Sequence, residues 1–323
     1  MQSRKEQHNK PLIGVSACLI GEKVRYDGGH KRDSFITGSL KRHVRFVTVC
    51  PETAIGLGVP RPTIRLVGEI TRPRALGVKD PERDVTDRLE LFSNQQMESY
   101  RGLNGFILKK NSPSCGMSRV KIYPQEIGGC AQRKGAGIFA RILLEHYPDL
   151  PIEEEGRLND PVLRENFINR VYVHQRWEQL LESGLTAASL IDFHSRHKYL
   201  VMAHSQAAYQ RLGRLLSDLS GNRAEETAQR YFRELMQALK QRVSRKRHVN
   251  VLQHIMGYLK RNIEPADKTE LVECIERYRR QEIPLVAVLT LMKHYFRHHP
   301  DPYMMGQIYL QPHPEQLGLR NAL

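Results

Sequence analysis

Three cysteines occupy three separate, heavily punctuated settings: Ser16-Ala17-Cys18-Leu19 running into Gly21, then Cys50-Pro51-Glu52, then Ser112-Pro113-Ser114-Cys115-Gly116. Each follows a short run that reads as a buried strand, so each thiol emerges at a strand end, where α/β folds place their chemistry. The intervals of 32 and 65 residues are wrong for a zinc ribbon, which uses local Cys-x-x-Cys pairs. They suit an iron–sulfur cluster held by dispersed thiolates. Three protein ligands on a four-iron cluster leave one iron open, and an open metal position is where substrate binds. Spacing alone leaves a second reading standing: three unrelated half-buried thiols packed as small hydrophobes.

The elements that must position these thiols fall into two textures. Strands are expected over residues 12–17, 45–49, 63–70 and 105–108, with helices over 34–43, 84–101 and 135–146. Asp84 is the expected cap of the middle helix. Strands separated by helices of this length indicate a mostly parallel sheet with helices on its faces. Residues 147–160, with Pro, Gly and the run Glu153-Glu154-Glu155, read as a linker. Beyond it the apolar period becomes helical, over 161–181, 224–243, 248–260, 267–280 and 284–297. Thr186 and Asp267 are expected N-caps, and Pro284 suits a first helical turn. The expectation is an α/β N-terminal domain over residues 1–158 and an all-α domain over 159–323.

The chain carries a formal charge of +15. Such a surplus accelerates encounter with a polyanion, so nucleic acid is the first partner to consider and an anionic membrane surface the second. No apolar run approaches the roughly 20 residues that span a bilayer. The polar start, residues 1–10, lacks the apolar core of a signal peptide. Five cysteines argue against a disulfide framework, so a cytoplasmic protein is expected. In the helical half the cations Lys240, Arg242, Arg245, Lys246 and Arg247 cluster into a candidate RNA contact. The bland alternative is a solvated helix end, where cations favour the carboxyl terminus.

The segments Val15-Ser16-Ala17-Cys18-Leu19-Ile20-Gly21, Arg25-Tyr26-Asp27-Gly28, Cys50-Pro51-Glu52 and Ser112-Pro113-Ser114-Cys115-Gly116 resemble, in order, the motifs of the thiouracil desulfidase family. Later blocks resemble a helical domain fused to some members, and the two-domain arrangement resembles the bacterial tRNA 4-thiouridine desulfidases. The resemblance implies a 4Fe-4S cluster on Cys18, Cys50 and Cys115 with one open iron. It also implies a non-redox conversion of C=S to C=O, with tRNA as partner and the helical half, residues 159–323, as tRNA-binding domain. Free thiouracil or a thionucleoside is the alternative substrate, and a non-catalytic cluster-containing RNA-binding protein the alternative class.

On this resemblance Glu52 is the acid/base that activates water, and Ser112 orients it or relays a proton. Arg25, Tyr26, Asp27, Ser114 and Lys109 are the expected substrate contacts. An internal Arg25–Asp27 ion pair and a solvated Lys109-Lys110 pair are the competing readings. Cys130 as a fourth ligand would close the cluster, whereas three ligands are expected. Cys274 reads as core, and His194 and His197 as core or RNA-facing. With no G-x-G-x-x-G and no P-loop, no nucleotide cofactor is expected.

Overall fold

A computed structural model describes residues 9–125, 129–217 and 224–322. Most of the polar N-terminal segment and Gly128, beside Cys130, lie outside the described residues. The described chain divides into two compact units between Asn159 and Asp160.

The first unit is built on a four-stranded parallel sheet in the order β2-β1-β5-β8: β1 is Leu12–Ser16, β2 Arg45–Val49, β5 Gly105–Leu108 and β8 Ile152–Glu154. The inner strands β1 and β5 are apolar runs because helices cover both faces of a parallel sheet. Gly14 on β1 is required by packing, since a Cβ there would lie 2.2 Å from the Phe106 ring. Phe106 in turn meets Tyr100 and Phe139 with ring centroids 5.7 Å away, filling the core beneath the sheet. The chain leaves β1 for one side of the sheet and β5 for the other, so the switch in strand order falls between them. Carboxyl ends at such a switch are where open α/β sheets bind ligands.

Helix α1 is Pro51–Ala54, α2 Thr86–Met97 and α3 Ile138–His146. Asp84 acts one residue ahead of the cap position, its Oδ1 accepting from Thr86 N at 2.8 Å. Residues 34–43 form no regular α-helix but a π turn, Phe35–Ser39, followed by a 3-10 turn, Leu40–Arg42. The strand expected over 63–70 is shorter, β3 Ile64–Val67, and belongs to a second, mixed sheet. Its order is β4-β3-β6-β7, with β4 Arg74–Gly77, β6 Val120–Tyr123 and β7 Gln132–Gly135. Strand β7 ends at Gly135, the first residue of the stretch expected as helix over 135–146, and the helix itself starts at Ile138.

The linker expected over 147–160 is overturned by β8. Its glutamates are not solvated: Glu153, Glu154 and Glu155 are 4%, 7% and 8% exposed. Each carboxylate is spent inside the unit: Glu153 on Arg157, Glu154 on the N–H of Met117, and Glu155 on Lys109 and the N–H of Lys110. Buried carboxylates of this kind are tolerated only when paired.

The second unit is all helical: α4 Pro161–Glu182, α5 Ala187–His204, α6 Gln206–Leu216, α7 Ala224–Leu239, α8 Arg245–Leu259, α9 Pro265–Arg279, α10 Leu285–His298 and α11 Pro302–Met305. Asp160 caps α4 through Val162 N and Leu163 N, and Thr186 forms a capping box with Ser189. Asp267 is not a cap but a first-turn residue, because α9 starts at Pro265 with Glu264 at the cap position. Trp177, stacked on Phe232 at 4.7 Å, lies in the core of this unit. No described helix is long and apolar enough to cross a membrane.

Candidate active site

The carboxyl ends of β1, β2 and β5 open on one cavity of about 400 Å³, and Cys18, Cys50 and Cys115 all line it. Cys18 sits in a 3-10 turn, Ala17–Ile20, that closes on Gly21 at φ 103°, a left-handed conformation suited to glycine. Cys50 ends β2 as the residue before α1, its Sγ 3.7 Å from the Val24 carbonyl. Cys115 lies in the turn after β5, where the Ser112 Oγ accepts the N–H groups of Ser114 and Cys115 at 3.2 and 3.0 Å. The amino end of α3 binds that turn: Ile138 N and Ala140 N donate to the carbonyls of Pro113 and Ser114, each at 3.1 Å. Gly137 permits the approach, since a Cβ would fall 2.5 Å from the Ser114 carbonyl.

Burial pushes the Cys18 thiol up to about 11, with Lys109 opposing and Cys50 adding to the shift. Burial likewise pushes Cys115 up, against a hydrogen bond from Ser16 and with Cys50, Glu52 and Cys18 raising it further. The thiols therefore sense one another, and a bare thiolate is costly there. A soft metal cation removes that cost by stabilising the thiolate form. Among the described residues, no three His, Cys, Asp or Glu side chains converge on a point that would hold a single ion. Thiols spread around a cavity suit a multinuclear group instead.

Glu52 lines the same cavity and is held from two sides. Arg61 donates from Nε and Nη2 to Oε2, and Ser114 Oγ donates to Oε1 at 3.0 Å. The serine expectations are thus exchanged. Ser112 orients no carboxylate; a turn hydroxyl accepting from the next two or three N–H groups spends its lone pairs on the backbone. Ser114, expected to touch substrate, is fully buried behind Glu52 and is absent from the cavity wall.

Arg25 and Tyr26 border the cavity, with the guanidinium 5.1 Å from the ring centroid. Asp27 does not line it; it pairs with Arg25 at 3.4 Å and accepts from Gly29 N, so the internal ion pair is what forms. Lys109 lines the wall but is paired with Glu155 at 2.6 Å. Exposed Lys31 and Lys110 complete the basic rim. Cys130 is exposed and outside the cavity, and Cys274 packs against the helical core. His197 is buried and bonded to the Phe193 carbonyl, and His194 is half-buried with its Nδ1 on Tyr231 OH.

Arg61, Glu154 and Glu155 were missed by sequence reasoning. The one signal for Arg61 is its place between Pro60 and Pro62, in a stretch with few conformations to lose.

The basic run of the helical unit divides. Lys240, Arg242 and Lys246 are exposed. Arg247 is exposed as well and donates to the His204 carbonyl, whereas Arg245 is half-buried, lying over the Tyr278 ring at 4.5 Å and donating to its carbonyl. The last three residues of the run begin α8, so they sit at an amino end, opposite to the helix end where cations are favoured.

Three strand-end thiols and a fixed carboxylate around one cavity define a class that the comparisons identify. The family model for 2-thiouracil desulfurase matches residues 13–155, and the chain belongs to that desulfurase family. A second model, for a protein of unknown function called DUF1722, matches residues 198–314. The chain is 33% identical over 154 residues to the uncharacterized protein YbgA of Escherichia coli K12, covering 47% of this chain and 91% of YbgA. It is 30% identical over 155 residues to the uncharacterized protein YbbK of Bacillus subtilis 168, covering 46% of this chain and 99% of YbbK. Among solved structures it is similar to the [4Fe-4S]-dependent thiouracil desulfidase TudS, at 31% identity and TM-score 0.37 over 47% of this chain and 95% of that one.

Proposed function

We propose that this chain removes sulfur from 4-thiouridine in tRNA, giving uridine and hydrogen sulfide by hydrolysis, in the cytoplasm. The observation that carries the reading is the convergence of Cys18, Cys50 and Cys115 on one cavity with Glu52. The three thiols fit a 4Fe-4S cluster: they are soft donors, and burial penalises them as unbound thiolates. Such a group, when bound, supplies an open iron that polarises the C=S bond as a Lewis acid.

The chain's own residues do the rest. Arg61 and Ser114 hold the Glu52 carboxylate, filling both lone pairs of Oε2 and one of Oε1, so one lone pair of Oε1 is left for a water proton. Water loses that proton to Glu52 as its oxygen bonds to the ring carbon, and the C=S π pair moves to sulfur. Collapse forms C=O from C–OH and breaks the C–S bond; the hydroxyl proton and the proton held by Glu52 both leave with the sulfur as hydrogen sulfide, and the carboxylate is regenerated. No electron is gained or lost overall. Tyr26 and Arg25 offer a ring and a guanidinium to the base, and Lys31 and Lys110 offer cations to flanking phosphates. Exposed Lys240, Arg242 and Lys246, on a chain of charge +15, favour the polyanion over a free base.

The test is anaerobic incubation of the iron-reconstituted chain with tRNA bearing 4-thiouridine, followed by nucleoside mass spectrometry. Uridine and sulfide should appear one for each 4-thiouridine lost. Faster turnover of free 4-thiouracil would assign the small substrate instead, and tRNA bound but unchanged would leave a non-catalytic binding protein.

A further inference from the structure

Within the helical unit lies a second cavity, of about 130 Å³, that the desulfurase chemistry does not use. The first residues of three helices line it: Pro161 of α4, Arg245 of α8 and Leu285 of α10. Helix amino ends carry partial positive charge; that of α4 is already met by the Asp160 carboxylate, which leaves those of α8 and α10 to favour an anion. Arg245 and Arg320 add full charges to the wall. Glu165 is the acid in that wall, and Arg320 Nε already holds it at 2.8 Å.

The histidines of the wall constrain the ligand further. His204 is 1% exposed, and its Nδ1 lies 2.6 Å from the Gln241 carbonyl. A carbonyl only accepts, so Nδ1 carries the ring proton and Nε2 is a lone pair. That Nε2 has no hydrogen-bond partner, and neither does Oδ1 of Asn169, which is 3% exposed and also lines the cavity. Burial holds His204 near 4, with Arg170, Arg247 and Arg320 opposing its protonation, so the ring is neutral at pH 7.

A buried, cationic cavity with bare acceptors in its wall needs a ligand that is negative and also donates. A metal cation is repelled by the arginines, and a carboxylate or sulfate has no proton to give. We infer that this cavity is a phosphate site, taking a proton-bearing phosphate either free or as the terminal monoester of a larger ligand. The P–OH donates to His204 Nε2 or Asn169 Oδ1, while the other oxygens accept from Arg245 and Arg320. The volume admits the phosphate group and leaves any attached nucleoside outside.

Titration calorimetry of the full chain at fixed ionic strength tests this with inorganic phosphate and with sulfate. One saturable site, at least tenfold tighter for phosphate, is expected, weakened at least tenfold in Arg245→Gln. Should that variant fold poorly, histidine ring NMR of the unaltered chain replaces it: a buried Nε2 resonance should move with phosphate and stay still with sulfate. Absent saturation, equal affinity for the two anions, or an unmoved ring would overturn the site and leave a water-filled cavity. Competition of phosphate with tRNA bearing a 5′ phosphate, lost after phosphatase treatment, assigns the terminal monoester; saturable binding without competition assigns the free ion.

Discussion

Two nitrogens on one edge of the Arg61 guanidinium donate to the same oxygen of Glu52, Nε at 2.9 Å and Nη2 at 2.7 Å. The Arg61 side chain is 4% exposed and also donates to the carbonyls of Val24 and Gly58. One buried cation therefore ties the carboxylate to two loops of the cavity. Lysine cannot reproduce that fork. Arg61→Lys should retain the thiol-bound iron and lower turnover at least tenfold. Glu52→Gln should lower turnover about 100- to 10,000-fold, the usual worth of general acid–base assistance. It should also lower the unfolding midpoint, because the buried guanidinium loses its counter-charge. Unchanged rates in both variants would remove Glu52 from the chemistry.

The two serines of the third motif should separate in their effects. Ser114→Ala frees one oxygen of Glu52 and should reduce rate about tenfold with iron content intact. Ser112→Ala strips the acceptor from two N–H groups of the Cys115 turn, a loss on the order of 1–3 kcal/mol locally. Its signature should be lower iron occupancy. Parallel iron analysis and rate measurement distinguish them, and reversed signatures would refute the assignment.

For tRNA, the informative substitutions are Lys240→Glu, Arg242→Glu and Lys246→Glu together. Arg245 and Arg247 are left alone because their reversal would disturb packing within the helical unit. Filter binding should show at least tenfold weaker affinity, with a shallower log–log salt slope, about 0.9 less for each phosphate contact removed. An unchanged slope would place the docking surface elsewhere.

Acid should loosen the helical unit. Burial lowers His174 and His204 to about 4 and His197 and His313 to about 3. Unfolded, these rings protonate near 6.5, so below that pH the unfolded state binds more protons. The stability of the unit is fully present above about pH 6.5 and is lost as pH falls toward the folded values, at up to about 1.4 kcal/mol per pH unit for each ring. Trp177, the one tryptophan of the chain, reports on this unit alone. Its urea midpoint should drop between pH 7 and pH 5, and a constant midpoint would mean that the rings are solvated.

Much of this was legible in the residues. Strands 45–49 and 105–108 agree with the structure to the residue, because short apolar runs between turn formers have one way to pair. The three thiols were legible for the same reason, each marking a strand end. Strand β8, Ile152–Glu154, was not, because carboxylates read as solvated when the backbone N–H groups that Glu154 and Glu155 accept lie 37 and 45 positions away. Nor did any periodicity join Glu52 to Arg61 and Ser114. Between Ser112 and Ser114 the choice depends on which way a tight turn rotates its hydroxyls, and spacing carries no such information.

Strand β8 has a further consequence, in the order of synthesis. A ribosome delivers Cys18, Cys50 and Cys115 well before it delivers Glu154, which receives the N–H of Met117, and Glu155, which fixes Lys109 and Lys110. The wall around the third cysteine is therefore complete only when the last strand of its sheet has been made. On the function proposed above, iron delivery follows release of the whole first unit and does not accompany the emergence of each thiol. Nascent chains ending at residue 150 should fail to retain iron under anaerobic conditions, while chains extended past residue 160 and clear of the ribosome should hold it.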